Sequence, residues 1–308
     1  MDLTTRELLD LGLDAVAADA PAASSALRQR VLGASTTGSR PLLHSGWAAL
    51  DGPISPLGAF IKTASEFATM LDSFGLDDWS RPTSVEGASV RELVAHLVGV
   101  ERYVLGQLGR RPKLLAPTRE DHFPVTREAA ADMAHLPGPD VAAAWWSEVS
   151  ELIATCGPLD PQYDVGYHHL AGSLRGLLVV RTFEVWTHDD DIRRAVKLPP
   201  NELDDARLAL MSSDLMNVLN LGMALSGTTQ PGRTARVDLT GPGGASYLVA
   251  LAPGEVAGLP DITITTSALD LCRLASNRLS SSLLDIEVVG DRALLEPVLV
   301  GATAFAAD

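Results

Sequence analysis

Glu184 and His188 stand four residues apart in the string Arg181-Thr182-Phe183-Glu184-Val185-Trp186-Thr187-His188-Asp189-Asp190-Asp191. On a helix that spacing puts both on one face, which they share with Leu177, Val180, Arg181 and Asp191. His96 lies in Val90-Arg91-Glu92-Leu93-Val94-Ala95-His96-Leu97, on the same side as Leu93, Leu97 and Val100. Three ionisable side chains are therefore expected to look into a core, where burying them without partners costs several kcal/mol, on the order of 2–7. One divalent cation would satisfy all three, since neutral imidazoles and a carboxylate are ordinary zinc ligands. Three protein ligands leave a coordination position for water, a thiolate or a substrate oxygen, and the metal lowers the pKa of what binds there. The competing reading needs no metal: a Glu-to-His hydrogen bond in a helical core accounts for the same spacing.

The other reactive residue types carry less. His168-His169 adjoins Tyr167 in a loop, where neighbouring histidines point in different directions and a surface turn competes with a pocket wall. His44, His122 and His135 lie in loop-like contexts and receive no role. Cys156 and Cys272 are far apart, forming neither a disulfide framework nor a C-x-x-C motif, and read as packing residues. Gly241-Pro242-Gly243-Gly244 reads as a turn between strands, because no helix follows it to cradle a phosphate. Trp145-Trp146 is expected to give one ring to the core and one to a groove.

Helical periodicity supplies the elements that would hold His96, Glu184 and His188. Leu57, Phe60, Ile61, Ala64, Phe67, Leu71 and Phe74 recur at three-and-four spacing and predict a first helix. Ser89-Val90-Arg91-Glu92 is a capping box that starts a second near Val90. Asp140 reads as the N-cap of a third, closed by Gly157-Pro158, and a fourth runs from about Ser173 to Val196 before Pro199-Pro200. No strand signal stands among them, which predicts a four-helix bundle over residues 46–200. A helix over Glu202 to Leu225 follows, then alternating strands at Ala235-Leu239, Tyr247-Leu251 and Ile262-Thr265, helical spacing over Leu269-Leu279, Ile286-Gly290 and a last helix to Phe305. Residues 201–308 are thus expected to form a small α+β domain. Residues 1–45 read as a helical arm and linker, whose Ser25-Leu32 segment resembles one found in some bacterial anti-sigma factors.

Three segments taken together resemble the mycothiol-dependent maleylpyruvate isomerase family: Asp77-Asp78-Trp79-Ser80-Arg81-Pro82-Thr83, the Val90–Leu97 helix start, and Arg181 through Ala195. The resemblance implies a DinB-like four-helix bundle whose metal is held by His96, Glu184 and His188, followed by a sterol-carrier-like α+β domain. It implies mycothiol as thiol co-substrate, held by the metal as a thiolate that attacks an electrophilic carbon, leading to cis–trans isomerisation or to thiol transfer. It further implies that an arginine of the C-terminal domain binds substrate or thiol, with Arg273, Arg278 and Arg292 the candidates and a solvated surface charge the other reading for each. Asp191 would orient His188 or an arginine, or else form a helix-surface ion pair. The family commonly reads Pro-Gly-Trp-Thr-Val where this chain has Glu86-Gly87-Ala88-Ser89-Val90, so a tryptophan is missing from the expected pocket wall.

Composition bounds the partners. The 24 Lys+Arg against 39 Asp+Glu give a formal net charge of −15, which argues against nucleic acid and anionic membrane surfaces. The start lacks the cationic and apolar regions of a secretory signal, and apolar runs such as Gly176–Val180 stop far short of the roughly 20 residues that cross a bilayer. The expectation is a cytoplasmic two-domain metalloenzyme acting with a small thiol on a small electrophilic acid. The alternatives are a hydrolase using metal-activated water, and a non-catalytic binding or regulatory protein that docks a partner through its N-terminal arm.

Overall fold

The computed structural model describes residues 43–48, 52–85, 87–109, 123–167, 170–254, 256 and 258–306. Nearly all of the expected N-terminal arm, its Ser25–Leu32 segment, and His122, His168 and His169 lie outside them. The chain divides into two compact units, Met1–Asn201 and Glu202–Asp308.

The first unit contains α1 (Ser45–Ala48), α2 (Pro56–Asp72), α3 (Val90–Gln107), α4 (Phe123–Asp132), α5 (Gly138–Cys156), the strands β1 (Asp164–Tyr167) and β2 (Leu170–Ser173), and α6 (Leu174–Val196). Its four long helices pack as a bundle: α2 lies against α6 and α5, and α3 against α5, α6 and α4. The apolar stripes meet in one core that includes Phe60, Phe67, Leu93, Leu97, Trp145, Leu152, Leu174 and Leu178. Caps set the helix starts. Ser55 and Ser173 accept from Gly58 N and Gly176 N, and Ser89 with Glu92 forms the reciprocal capping box at α3. The end of α6 comes at Lys197, whose backbone turns left-handed (φ 61°), two residues before the first proline.

The bundle corrects four expectations. A fifth helix, α4, packs on α3, and an antiparallel hairpin, β1–β2, pairs Asp164 with Ser173 and Tyr167 with Leu170 where no strand was expected. The start of α5 is Gly138, with Pro137 rather than Asp140 at the N-cap. Both rings of Trp145 and Trp146 are buried, so neither lines a groove.

The second unit is a four-stranded sheet with helices on one face. It contains α7 (Asp205–Leu225), β3 (Thr234–Thr240), β4 (Ser246–Ala250), β5 (Ile262–Ser267), α8 (Ala268–Ala275), β6 (Glu287–Gly290) and α9 (Leu295–Ala302). Strand order is β4-β3-β5-β6, with β3 and β5 parallel and the outer pairs antiparallel. Alternation decides the buried face: Ala235, Val237, Leu239, Ile262 and Ile264 pack with Leu215, Leu219, Met223, Leu271 and Val298 of the helices. The α7–α9 crossing depends on glycine, since a Cβ at Gly222 would lie 2.2 Å from the carbonyl oxygen of Gly301. Among the described residues α7 is long and apolar enough to cross a membrane, yet it packs on α8, α9 and β4 and buries Leu208, Met211, Leu215 and Leu219. The Gly241–Gly244 segment is the expected turn, with Gly244 N donating to Gly241 O.

Candidate metal centre

Two helices of the bundle build the site. One turn and a half into α3, His96 points between α3 and α6, and α6 contributes Arg181, Glu184, His188 and Asp191 from successive turns of one face. The neighbours that define the inward side of α3 are fully or almost fully buried, as are Leu177, Arg181, His188 and Asp191 on α6. Val180 departs from expectation: it is 40% exposed and lies off the inward face.

His96 Nε2 is 3.4 Å from Glu184 Oε1, and the His96 and His188 rings meet edge to face with centroids 5.4 Å apart. Each of His96, Glu184 and His188 offers one ligand atom, and the three atoms lie within 4.8 Å of one another. His188 is almost wholly buried, while His96 and Glu184 keep partial access to solvent. This donor set fits a divalent cation: two imidazoles and a carboxylate from two helices converge as a zinc ion bonded at about 2.0–2.2 Å requires, after small side-chain movements.

The surroundings of the three ligand candidates are equally specific. His188 Nδ1 lies 3.3 Å from Asp191 Oδ2, and Ser84 Oγ donates to Asp191 Oδ1 at 3.3 Å. Nδ1 is directed at that carboxylate and Nε2 faces away from it, so the tautomer protonated at Nδ1 would offer the Nε2 lone pair to a metal, the usual arrangement behind a metal-bound histidine. Glu184 Oε2 is held by Arg181 Nη1, and Arg181 Nη2 donates to Glu101 Oε1 at 2.7 Å. Glu101 sits on α3 beyond His96 and is fully buried, as is Arg181. Burial pushes the Glu101 carboxyl up, against the pull of the Arg181 charge beside it.

The remaining acids of the α6 string are explained locally. Asp189 pairs with Arg193 at 2.7 Å and also binds Asn201, and Asp190 pairs with Arg194 and accepts from the Asn201 backbone. Burial raises the Asp189 carboxyl to about 6. These contacts tie the C-terminal end of α6 to the last residue of the first unit. Trp79 packs edge-on against Phe74 and over the start of α5, and Arg81 pairs with Asp78, so the Trp-Ser-Arg-Pro segment is a packing device of the bundle. It delivers the chain to the Pro82–Ser89 loop that carries Ser84. At Ala88, the position of the missing tryptophan, the half-buried backbone accepts from Thr83 N.

Sequence reading missed Glu101 and Ser84. Glu101 carried a signal: it stands beside Val100 and four residues after Leu97, on a stretch with no basic residue of α3 in register to neutralise it. An acid so placed requires a base from another helix, and Arg181 was the inward-facing base on offer. Ser84 carried none.

The C-terminal arginines lie in the second unit. Arg273, on α8, is 3.8 Å from Asp270, Arg278 donates to Ser276 O, and Arg292 is exposed in the 3-10 turn before α9. His44 accepts from Gly46 N through Nδ1, and His135 lies exposed in the turn before α5.

Residues 62–193, which contain every side chain of this centre, match the family of the Mycothiol maleylpyruvate isomerase N-terminal domain. Two uncharacterised proteins of Mycobacterium tuberculosis, from strains CDC 1551 and H37Rv, are each 23% identical over 237 residues, spanning 75% of this chain and 87% of theirs. Among solved structures, the mycothiol-dependent maleylpyruvate isomerase superposes with a TM-score of 0.52 at 16% identity, and a histidine-to-alanine mutant of it with the same score at 14%. Each superposition covers 75% of this chain and 91% of the other, a likeness of fold.

Proposed function

We infer that the chain is a thiol-dependent enzyme working at a divalent cation held by His96, Glu184 and His188; in support, residues 62–193 match the family of the mycothiol maleylpyruvate isomerase N-terminal domain and the fold is like that of a solved mycothiol-dependent isomerase. The convergence of those three donor atoms within 4.8 Å of one another carries the inference. Bound there, zinc or a similar ion would lower the pKa of a coordinated thiol and present it as a thiolate at neutral pH.

The chain's own residues do the rest. Asp191, steadied by Ser84, orients the His188 ring, and Arg181 orients Glu184. Cys156 and Cys272 are poor nucleophiles: both are buried, and burial pushes the Cys272 thiol up to about 12 and the Cys156 thiol higher still. A reacting sulfur would then come from a small-molecule thiol, which the family match suggests is mycothiol. The substrate is a small electrophilic acid, converted by cis–trans isomerisation or by S-transfer. With Ala88 at the loop position where a tryptophan was expected, the substrate need not be maleylpyruvate itself. The reducing cytoplasm is the compartment in which two unpaired thiols and a thiol co-substrate coexist most simply.

The test is turnover of a panel of cis-unsaturated oxo acids by zinc-loaded protein with and without mycothiol, followed by loss of the substrate's ultraviolet absorption. The reading expects turnover or adduct formation only with the thiol. Thiol-independent hydrolysis would replace it with a metal-activated-water mechanism.

A further inference from the structure

We propose that Arg181, anchored on Glu101, is a positioning residue that makes Glu184 a one-oxygen ligand; the inference rests on the metal-centre reading above. Arg181 is wholly buried, and its two terminal nitrogens reach carboxylates on different helices: Nη1 binds Glu184 Oε2 on its own helix and Nη2 binds Glu101 Oε1 on α3. A guanidinium is planar, so fixing one prong on Glu101 fixes the direction of the other. Glu184 is left with Oε2 engaged and Oε1 turned toward His96 Nε2, 3.4 Å away. A carboxylate with both oxygens available can chelate a cation and take up a position that a thiol needs. Held this way it meets the cation through Oε1 alone.

The same bridge ties α3, which carries His96, to α6, which carries Glu184 and His188, so it also sets the spacing across which the three ligand candidates face one another. Glu148 of α5 faces Glu101 as a further negative charge and is itself engaged by Arg102 at 2.9 Å. That leaves Arg181 as the cation that Glu101 directly contacts in the structure. The contribution of the buried Glu101 to the site is to aim Arg181.

The experiment compares full-length wild type with two variants. Glu101→Leu with Arg181→Met replaces the buried pair by apolar side chains of similar volume, an exchange that buried ion pairs tolerate. Arg181→Lys keeps the charge and loses the fork. Folding is checked by circular dichroism and thermal melting, zinc affinity by competition with a chromophoric chelator, and coordination by the visible spectrum of the cobalt(II)-substituted protein. The folded double variant is expected to bind zinc about tenfold to a hundredfold more weakly. Its cobalt absorption should weaken, as it does when coordination number rises. Arg181→Lys should bind more tightly than the double variant while showing the same altered spectrum, and it decides the matter should the double variant fail to fold. Wild-type affinity and an unchanged cobalt spectrum in a folded variant would overturn the positioning role. Failure of wild type to take up zinc or cobalt is a different result, which removes the metal centre and this role with it.

Discussion

At the scale of single residues, the centre is organised by what stands behind the ligand candidates. Asp191 hydrogen bonds with His188 and accepts from Ser84, so Asp191→Asn keeps the shape while replacing the acceptor charge that orients the ring. We expect zinc affinity to fall about 10- to 100-fold with little loss of melting temperature, measured by chelator competition and calorimetry. An unchanged affinity would reduce Asp191 to a partner of Arg194, which lies 3.9 Å from it. His96, Glu184 and His188 were legible because a helix converts spacing into a shared face, and the family resemblance singled out the same three. Glu101 was obscured because it sits within an apolar run, and only the lack of a basic residue in register on α3 hinted at a partner from another helix. Whether Arg273, Arg278 or Arg292 meets a substrate was not legible, since nothing in a local string says which guanidinium could reach one.

At the scale of elements, the long helices could be read from periodicity and caps, while the short ones could not. The capping box at Ser89 and Glu92 placed the start of α3 correctly because it is a local hydrogen-bond exchange. By contrast α4 is short and alanine-rich with a weak apolar stripe, and it forms where α3 offers Gly99, at which a Cβ would lie 2.5 Å from Thr126 Cα. The β1–β2 hairpin has four residues per strand and no clear alternation; its support comes from packing on α3 and α6. Asp140 lost the N-cap of α5 because Gly138 lets the helix begin earlier, directly under Trp79. A Cβ on Gly138 would come 2.0 Å from the indole. Gly138→Ala is therefore expected to destabilise the first unit by about 1–3 kcal/mol despite alanine's better helix propensity, read as a lowered denaturation midpoint. A stabilised variant would show that the Trp79 contact yields easily.

At the scale of the whole molecule, each unit contains one cysteine, and both are buried: Cys156 in the bundle core and Cys272 on α8. Burial raises both thiols well above the ordinary value of about 8.5. Native protein at pH 8 is expected to resist a thiol reagent that labels both positions within seconds in denaturant. Peptide mapping at intermediate denaturant then reports the opening of each unit through its own thiol. Rapid native labelling at either site would contradict the packing described for that unit, and would also reopen the possibility that the chain supplies its own nucleophile.

His96, Glu184 and His188 are proposed to hold one divalent cation together. The direct measurement is the metal content of untagged protein purified without chelator, beside His96→Ala and His188→Ala variants whose helicity is first shown to be intact. Wild type should carry close to one equivalent of zinc or another divalent ion, removed by chelator and restored on addition, and both variants should lose it. A wild-type protein that carries no ion and takes up none when it is supplied, or variants that retain it fully, would rule out a cation held by these three side chains.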